Sequence, residues 1–268
     1  MVRTRQPAVA GTFYPAQPEA LRAEITAFLN AAAPAAHAPK ALIAPHAGYV
    51  YSGPIAGSAY NAIGAQGDLI QRVVLLGPAH RVYVEGIAAS GAQQFAIPTG
   101  DIPVDTTAVN ALVDRFDFVS ISDAAHQLEH SLEVQLPFLA MVLPRFSLIP
   151  LAVGNATAAQ VTAVLDVLWG GPETLIVISS DLSHYHDYET ARGLDRFTSR
   201  RITALDPRGL TSEHACGVVP VSGLLHAAAR HGLRATALDV RNSGDTAGTR
   251  DRVVGYGAYA FYEPQPNA

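Results

Sequence analysis

Short, almost uninterrupted apolar runs alternate along this chain with longer stretches whose apolar positions recur every three or four residues. The runs at 41–44, 73–76, 86–89, 146–153 and 175–178 are rich in Val, Ile, Leu and Ala, the pattern of strands buried on both faces. Between them, residues 18–30 place Leu21, Ile25, Phe28 and Leu29 on one helical face. Residues 54–63, 106–115, 158–168, 190–205 and 218–231 read as further helices. Residues 129–143 carry Leu132, Leu136, Leu139, Ala140 and Leu143 at helical spacing, with Pro137 inside the run predicting a kink or a late start. Residues 118–121 read as an edge strand, and strands near 234–240 and 253–262 follow the last helix. Residues 7–15 read as an extended or looped lead-in, the stretch around Phe95 and Pro98 as a loop, and the Ala- and Pro-rich 31–39 as a connector too near the start to divide domains. Strands alternating with helices over residues 1–268 predict a single α/β domain with a mostly parallel central sheet flanked by helices.

Composition narrows the function classes. Hydrophobic residues make up 49% of the 268 and charged residues 15%, which suits a packed globular core and not a disordered chain. A net charge of -5 without any basic run offers no field for nucleic acid or an anionic membrane. One cysteine, Cys216, excludes an internal disulfide framework and fits a reducing compartment. No apolar stretch approaches the roughly 18 residues of a membrane span. The expectation is a cytoplasmic protein with a small-molecule substrate and neither nucleic acid nor membrane as partner.

The candidate chemistry sits where strands stop. The run 41–44 delivers His46, 73–76 delivers His80, and 175–178 is followed by Asp181 and His184. In open parallel sheets ligands bind beyond the carboxyl ends of the strands, so parallel neighbours would bring these side chains to one rim. Two imidazoles with an oxygen or sulfur donor make a site for a divalent transition metal, and two His with one carboxylate is the set used by non-haem ferrous oxygenases. Asp181 can equally serve by orienting an imidazole. The bland alternative is a set of polar loops and core histidines.

Other strings compete with this cluster. His126-Gln127-Leu128-Glu129-His130 matches the H-x-x-E-H of inverted zinc peptidases, which would need both His on one helix face. Without that helix, His126, Glu129 and His130 cap a helix beside the main site, and His130 is a candidate general acid or base. Cys216, in Glu213-His214-Ala215-Cys216-Gly217 ahead of an apolar helix, reads as a buried small hydrophobe, as a soft metal ligand whose thiolate the helix terminus favours, or as the nucleophile of a Cys–His pair. Asn242-Ser243-Gly244-Asp245 either closes the same rim or is a plain turn. Glycine-rich phosphate loops are absent.

Several motifs, taken together and in order, resemble the Memo family: Pro7-Ala8-Val9-Ala10-Gly11-Thr12-Phe13-Tyr14-Pro15, Ala44-Pro45-His46-Ala47-Gly48-Tyr49, Leu76-Gly77-Pro78-Ala79-His80, and Glu129-His130-Ser131-Leu132-Glu133. Ile178-Ser179-Ser180-Asp181-Leu182-Ser183-His184-Tyr185, Cys216-Gly217, Ser243-Gly244-Asp245 and Val254-Gly255-Tyr256 extend the match. Bacterial and archaeal members are called AmmeMemoRadiSam system protein B. The resemblance implies a fold related to class III extradiol ring-cleaving dioxygenases, which bind ferrous iron through two His and a Glu. It implies His46, His80 and Cys216 as metal ligands, with Asp181 and His184 beside them; His184 and His130 are then the candidates for moving a proton. It implies Fe(II), with copper or zinc as alternatives, and AMMECR-type and radical SAM proteins as partners. Cys216 departs from the dioxygenases, which have a carboxylate at that place. The reading is thus a non-haem iron, dioxygenase-like oxidoreductase, or else a metal-binding or partner-binding module.

Overall fold

The computed structural model describes residues 2–33 and 38–264, so the connector expected at 31–39 is described only at its two ends. In chain order the first half runs β1 (Thr4–Arg5), α1 (Pro18–Ala31), β2 (Ala41–Ala44), α2 (Tyr49–Asn61), β3 (Arg72–Pro78), β4 (Ile87–Ala89), β5 (Gln94–Ile97), β6 (Gly100–Pro103), α3 (Thr106–Arg115) and β7 (Val119–Ile121). The second half runs α4 (Asp123–Gln127), α5 (Leu136–Val142), β8 (Ser147–Val153), α6 (Ala158–Leu168), β9 (Thr174–Ser179), β10 (His184–His186), α7 (Tyr188–Thr203), α8 (Val218–Arg230), β11 (Arg234–Asn242) and β12 (Val253–Tyr262).

Among the described residues, nine strands form one large mixed sheet in the order β10-β12-β2-β9-β3-β8-β4-β7, with β11 also on β12. Its centre is parallel: β2 beside β9, β9 beside β3, β3 beside β8. Antiparallel strands extend both sides, β12 on β2 and β4 on β8. The runs without polar interruption are the central strands, and every residue of β2 and β9 is buried. This is an α/β fold, and one hydrophobic core runs through it from Val9 to Phe261. No helix among the described residues is long and apolar enough to cross a bilayer.

Helix α1 buries Leu21 and Ile25 and packs on α2. A Cβ on Gly53 of α2 would stand 2.4 Å from Phe28, so glycine there lets the two helices close. Helix α2 begins five residues before the expected 54, with Pro54 inside it. The proline withholds a hydrogen bond from the carbonyl of Val50, but Val50 is exposed in the first turn, where water can take that place. Two elements were hidden in expected loops. The stretch with Phe95 and Pro98 is the β5–β6 hairpin, which pairs with β1 in a separate three-stranded sheet. The polar tail of β9 contains β10, antiparallel to β12 with a bulge between His184 and His186.

The helix expected over 129–143 starts late. Residues 128–135 are irregular apart from a 3-10 turn, and α5 begins at Leu136 with Pro137 in its first turn. The irregular segment holds the N-terminal residues down. Glu133, which is fully buried, accepts the backbone N–H of Ala8 (2.7 Å) and Val9 (3.0 Å) and the Tyr14 hydroxyl (2.6 Å). It also pairs with the Arg5 guanidinium, which donates further to the carbonyls of His126 (3.0 Å) and Glu129 (2.7 Å). The lead-in is therefore a strap fixed along its length.

Removing one partner of a buried ion pair leaves the other charge uncompensated, whereas replacing both by apolar groups does not. Glu133→Gln is expected to lower unfolding stability by about 3–5 kcal/mol. The Arg5→Met, Glu133→Met double variant is expected to lose at least as much, because it also orphans the Ala8 and Val9 N–H groups, the Tyr14 hydroxyl and two carbonyls, both read from chemical denaturation midpoints at unchanged m-value.

Candidate metal centre

Strands β2 and β3 stand on either side of β9, so their carboxyl ends converge. His46 lies two residues past β2 and His80 two residues past β3. The irregular segment brings His130 to the same point. Donor atoms of His46, His80 and His130 lie within 4.8 Å of one another. Their ring centroids are 5.3 Å (His46–His80), 4.9 Å (His80–His130) and 5.6 Å (His46–His130) apart.

Each imidazole has its own surroundings. His80 places Nδ1 3.0 Å from Glu129 Oε1, and its backbone N–H donates to Glu129 Oε2 at 2.5 Å. Burial opposes the charge on Glu129, but these bonds and the Ser131 N–H (2.8 Å) outweigh it and hold the carboxyl at about 2. The carboxylate can only accept, so His80 carries a proton on Nδ1, which in the neutral ring leaves the lone pair on Nε2. His46 sets Nδ1 2.8 Å from the Ser179 hydroxyl. Burial, with His80 adding to it, pushes His46 down to about 3; burial and then His46 push His130 down to about 4. Both are neutral at pH 7, the form that binds a metal. His130 Nδ1 is buried without a hydrogen-bond partner, 3.5 Å from Glu129 Oε1. An orphaned nitrogen inside a cluster of three imidazoles fits a metal-binding donor set, and imidazole suits zinc, copper, iron and nickel alike.

The remaining sequence candidates fall around this trio. Cys216 is not part of it, though its Sγ lies 3.3 Å from His46 Nε2. Burial and then the nearby Asp181 push its thiol up to about 12, opposite to the thiolate expected from a helix terminus. It precedes Gly217, which caps α8, and His214 turns away to Thr211. Asp181 accepts the backbone N–H of His46 at 2.7 Å, so it orients the main chain of that residue, not its ring. Burial raises its pKa. His184 sets Nδ1 2.8 Å from the Leu182 carbonyl, which can only accept, leaving Nε2 unprotonated in the neutral ring.

The H-x-x-E-H string forms no continuous helix, because α4 stops at Gln127. His126 is buried apart, with Nε2 3.0 Å from the Ala88 carbonyl and its ring edge-on to Phe95. A peptidase arrangement is therefore not assembled. Sequence reasoning assigns no role to Ser131, Ser179 or Gln135, since a buried hydroxyl or amide leaves no periodicity to read.

The trio forms the base of an open cavity of about 1070 Å3 whose wall includes Phe13, Tyr51, Asp181, His184, Tyr185 and Tyr256. Ser243 and Gly248 complete it, so the segment after β11 does close the rim. Tyr185 is the extra residue of the β10 bulge, held at φ 63° and exposed, with the Arg252 guanidinium 5.0 Å from its ring centroid.

A family model described as Memo-like protein matches residues 5–260. Similar curated proteins include a MEMO1 family protein of Methanopyrus kandleri, 34% identical over 96% of this chain and 98% of its own length. Others are MEMO1 family proteins of Aquifex aeolicus, 34% identical over 95% and 98%, and of Methanosarcina acetivorans, 35% identical over 95% and 97%.

Partners that orient a ligating His typically change metal affinity 10- to 100-fold when altered. Glu129→Gln is thus expected to weaken cobalt(II) binding by about 10- to 100-fold while leaving one ion per chain at saturation, as measured by titration against a competing chelator.

Proposed function

The chain belongs to the Memo-like family, and from that premise we propose that it is a metal-dependent oxidoreductase using ferrous iron on a small aromatic substrate. The observation that carries this reading is the trio of converging imidazoles in an open, aromatic-walled cavity. His46, His80 and His130 would hold the ion, with the Cys216 sulfur beside His46 as a soft donor within reach. Bound there, ferrous iron would supply Lewis acidity and a source of electrons for the reaction of a phenol with dioxygen. Support for iron over zinc comes from the resemblance to ring-cleaving dioxygenases, because the donor set suits both.

The chain's own groups divide the remaining work. Phe13, Tyr51 and Tyr185 present faces and edges on which a planar ring can rest. His184, with its Nδ1 proton tied to Leu182, offers Nε2 to take a proton from a substrate hydroxyl. His130, committed to the ion, is not free to carry a proton, so His184 is the remaining candidate. Asp181 holds His46 in place through its backbone.

One observation favours a second reading, a metal-holding module that works with AMMECR-type and radical SAM partners. The trio contains no carboxylate, Glu129 and Asp181 are committed to hydrogen bonds, and an oxidisable thiol lies 3.3 Å from His46 Nε2. Anaerobic purification, metal analysis and oxygen uptake with a panel of catechols separate the two. Near-unit iron with catechol-dependent uptake, abolished in His46→Ala, is the expected outcome. Stoichiometric metal without uptake selects the module, and a protein that takes up no metal rejects both.

A further inference from the structure

We propose that Ser179 is a positioning residue of the metal centre: with its own proton committed to the Ser131 carbonyl and Gln135 donating to it from behind, it forces His46 to carry its proton on Nδ1 and to turn the Nε2 lone pair toward the cavity. The role in metal binding rests on the metal reading above; the tautomer does not.

The direction of every bond in this chain follows from its two ends, both of which can only accept. Gln135 Nε2 lies 2.9 Å from the Pro45 carbonyl. A carbonyl has no proton to give, so the amide nitrogen must face it; flipping the amide would oppose two oxygens and take the acceptor away from the Tyr60 hydroxyl, now 2.7 Å from Oε1. The second proton of Nε2 then points at Ser179 Oγ, 2.7 Å away. At the other end, Ser179 Oγ donates its single proton to the Ser131 carbonyl at 2.6 Å. A hydroxyl whose proton is committed can meet His46 Nδ1, at 2.8 Å, only as an acceptor. The proton between them therefore belongs to His46.

Burial makes the assignment binding. Gln135, Ser131 and Ser179 are fully buried and His46 is 2% exposed, so water has little chance to substitute for a member. The opposite tautomer would set two lone pairs against each other at 2.8 Å or draw the Ser179 proton off Ser131, leaving a buried carbonyl unpaired. A metal binds the imidazole nitrogen that the other nitrogen's hydrogen bond leaves free. His80 obtains this from the Glu129 anion; His46 obtains it from an uncharged chain.

The test uses full-length, metal-free protein labelled with 15N in histidine, the His46 ring resonances being assigned by their loss in His46→Gln. Wild type is expected to show protonated Nδ1 and unprotonated Nε2. Ser179→Ala is expected to give a mixture of tautomers and to bind zinc about 10- to 100-fold more weakly by chelator competition. Should Ser179→Ala, which only removes a hydroxyl, fail to fold, the wild-type tautomer decides alone. A wild-type Nε2–H form, or a folded Ser179→Ala protein that keeps both tautomer and affinity, overturns the proposal. Wild-type protein with the Nδ1–H form that binds no zinc upholds the relay and overturns the metal reading on which its role rests.

Discussion

Buried polar side chains must find partners, and in this protein one irregular segment, residues 129–135, carries four of them in different directions. Glu129 takes the backbone and ring of His80 beyond β3. Ser131 reaches the Pro78 carbonyl through its hydroxyl and receives Ser179 from β9 through its own carbonyl. Glu133 holds the N-terminal strap, and Gln135 holds Pro45 beyond β2. A helix would point neighbouring side chains around a cylinder of fixed pitch and could not serve three strand ends and a strap at once. Pro137 favours the irregularity, since its missing N–H and its ring both act against the Glu133 carbonyl in a continuous helix.

That arrangement ties stability to the site. Phe13 belongs to the strap, yet its ring lies 4.9 Å from that of His130, and its carbonyl accepts the N–H of Tyr49 at 2.7 Å. Tyr49 in turn donates from its hydroxyl to the Val134 carbonyl, closing a circuit from strap to α2 to the irregular segment. The Arg5–Glu133 pair is therefore more than an isolated ionic contact: loosening it would free a wall of the cavity as well as an end of the chain.

What could be read from the sequence follows the physics of burial. Strands β2, β3, β8 and β9 were legible because a strand covered on both faces has no polar residue to interrupt it, and their ends then announced His46 and His80. The apolar spacing of 132, 136, 139, 140 and 143 reported burial correctly but not regular structure, because buried residues on an irregular segment satisfy the same pattern. The β5–β6 hairpin and β10 escaped for the converse reason: strands of three or four residues carry too few positions for an alternation to show. At the site, His130 was visible as a chemical group, but its convergence with His46 and His80 depends on how 128–135 turns, and no spacing encodes that. The Glu129–His80 pairing spans 49 residues and the Gln135–Ser179 contact 44, distances at which hydrogen-bond partners leave no trace in a single sequence.

The thiol and the three imidazoles are best understood through the charges they share. Two neutral rings, one carboxylate held ionised behind His80, and a carboxyl and a thiol whose burial disfavours their charged forms make a pocket that could take a cation. The forces on Asp181 and Cys216 have the same sign: burial penalises each anion, and the charge of Asp181 adds to the penalty on Cys216. A positive ion near the imidazoles would reverse that balance, since a nearby opposite charge favours the ionised form of both and a coordinated thiol loses its proton. With the His46 proton on Nδ1, Cys216 can only donate at Nε2, and Ser179, its proton held by the Ser131 carbonyl, determines that arrangement. The sulfur, placed 3.3 Å from that nitrogen, is thus subordinate to the imidazoles: its charge state depends on what they hold, whereas theirs depends on the buried hydrogen bonds behind them.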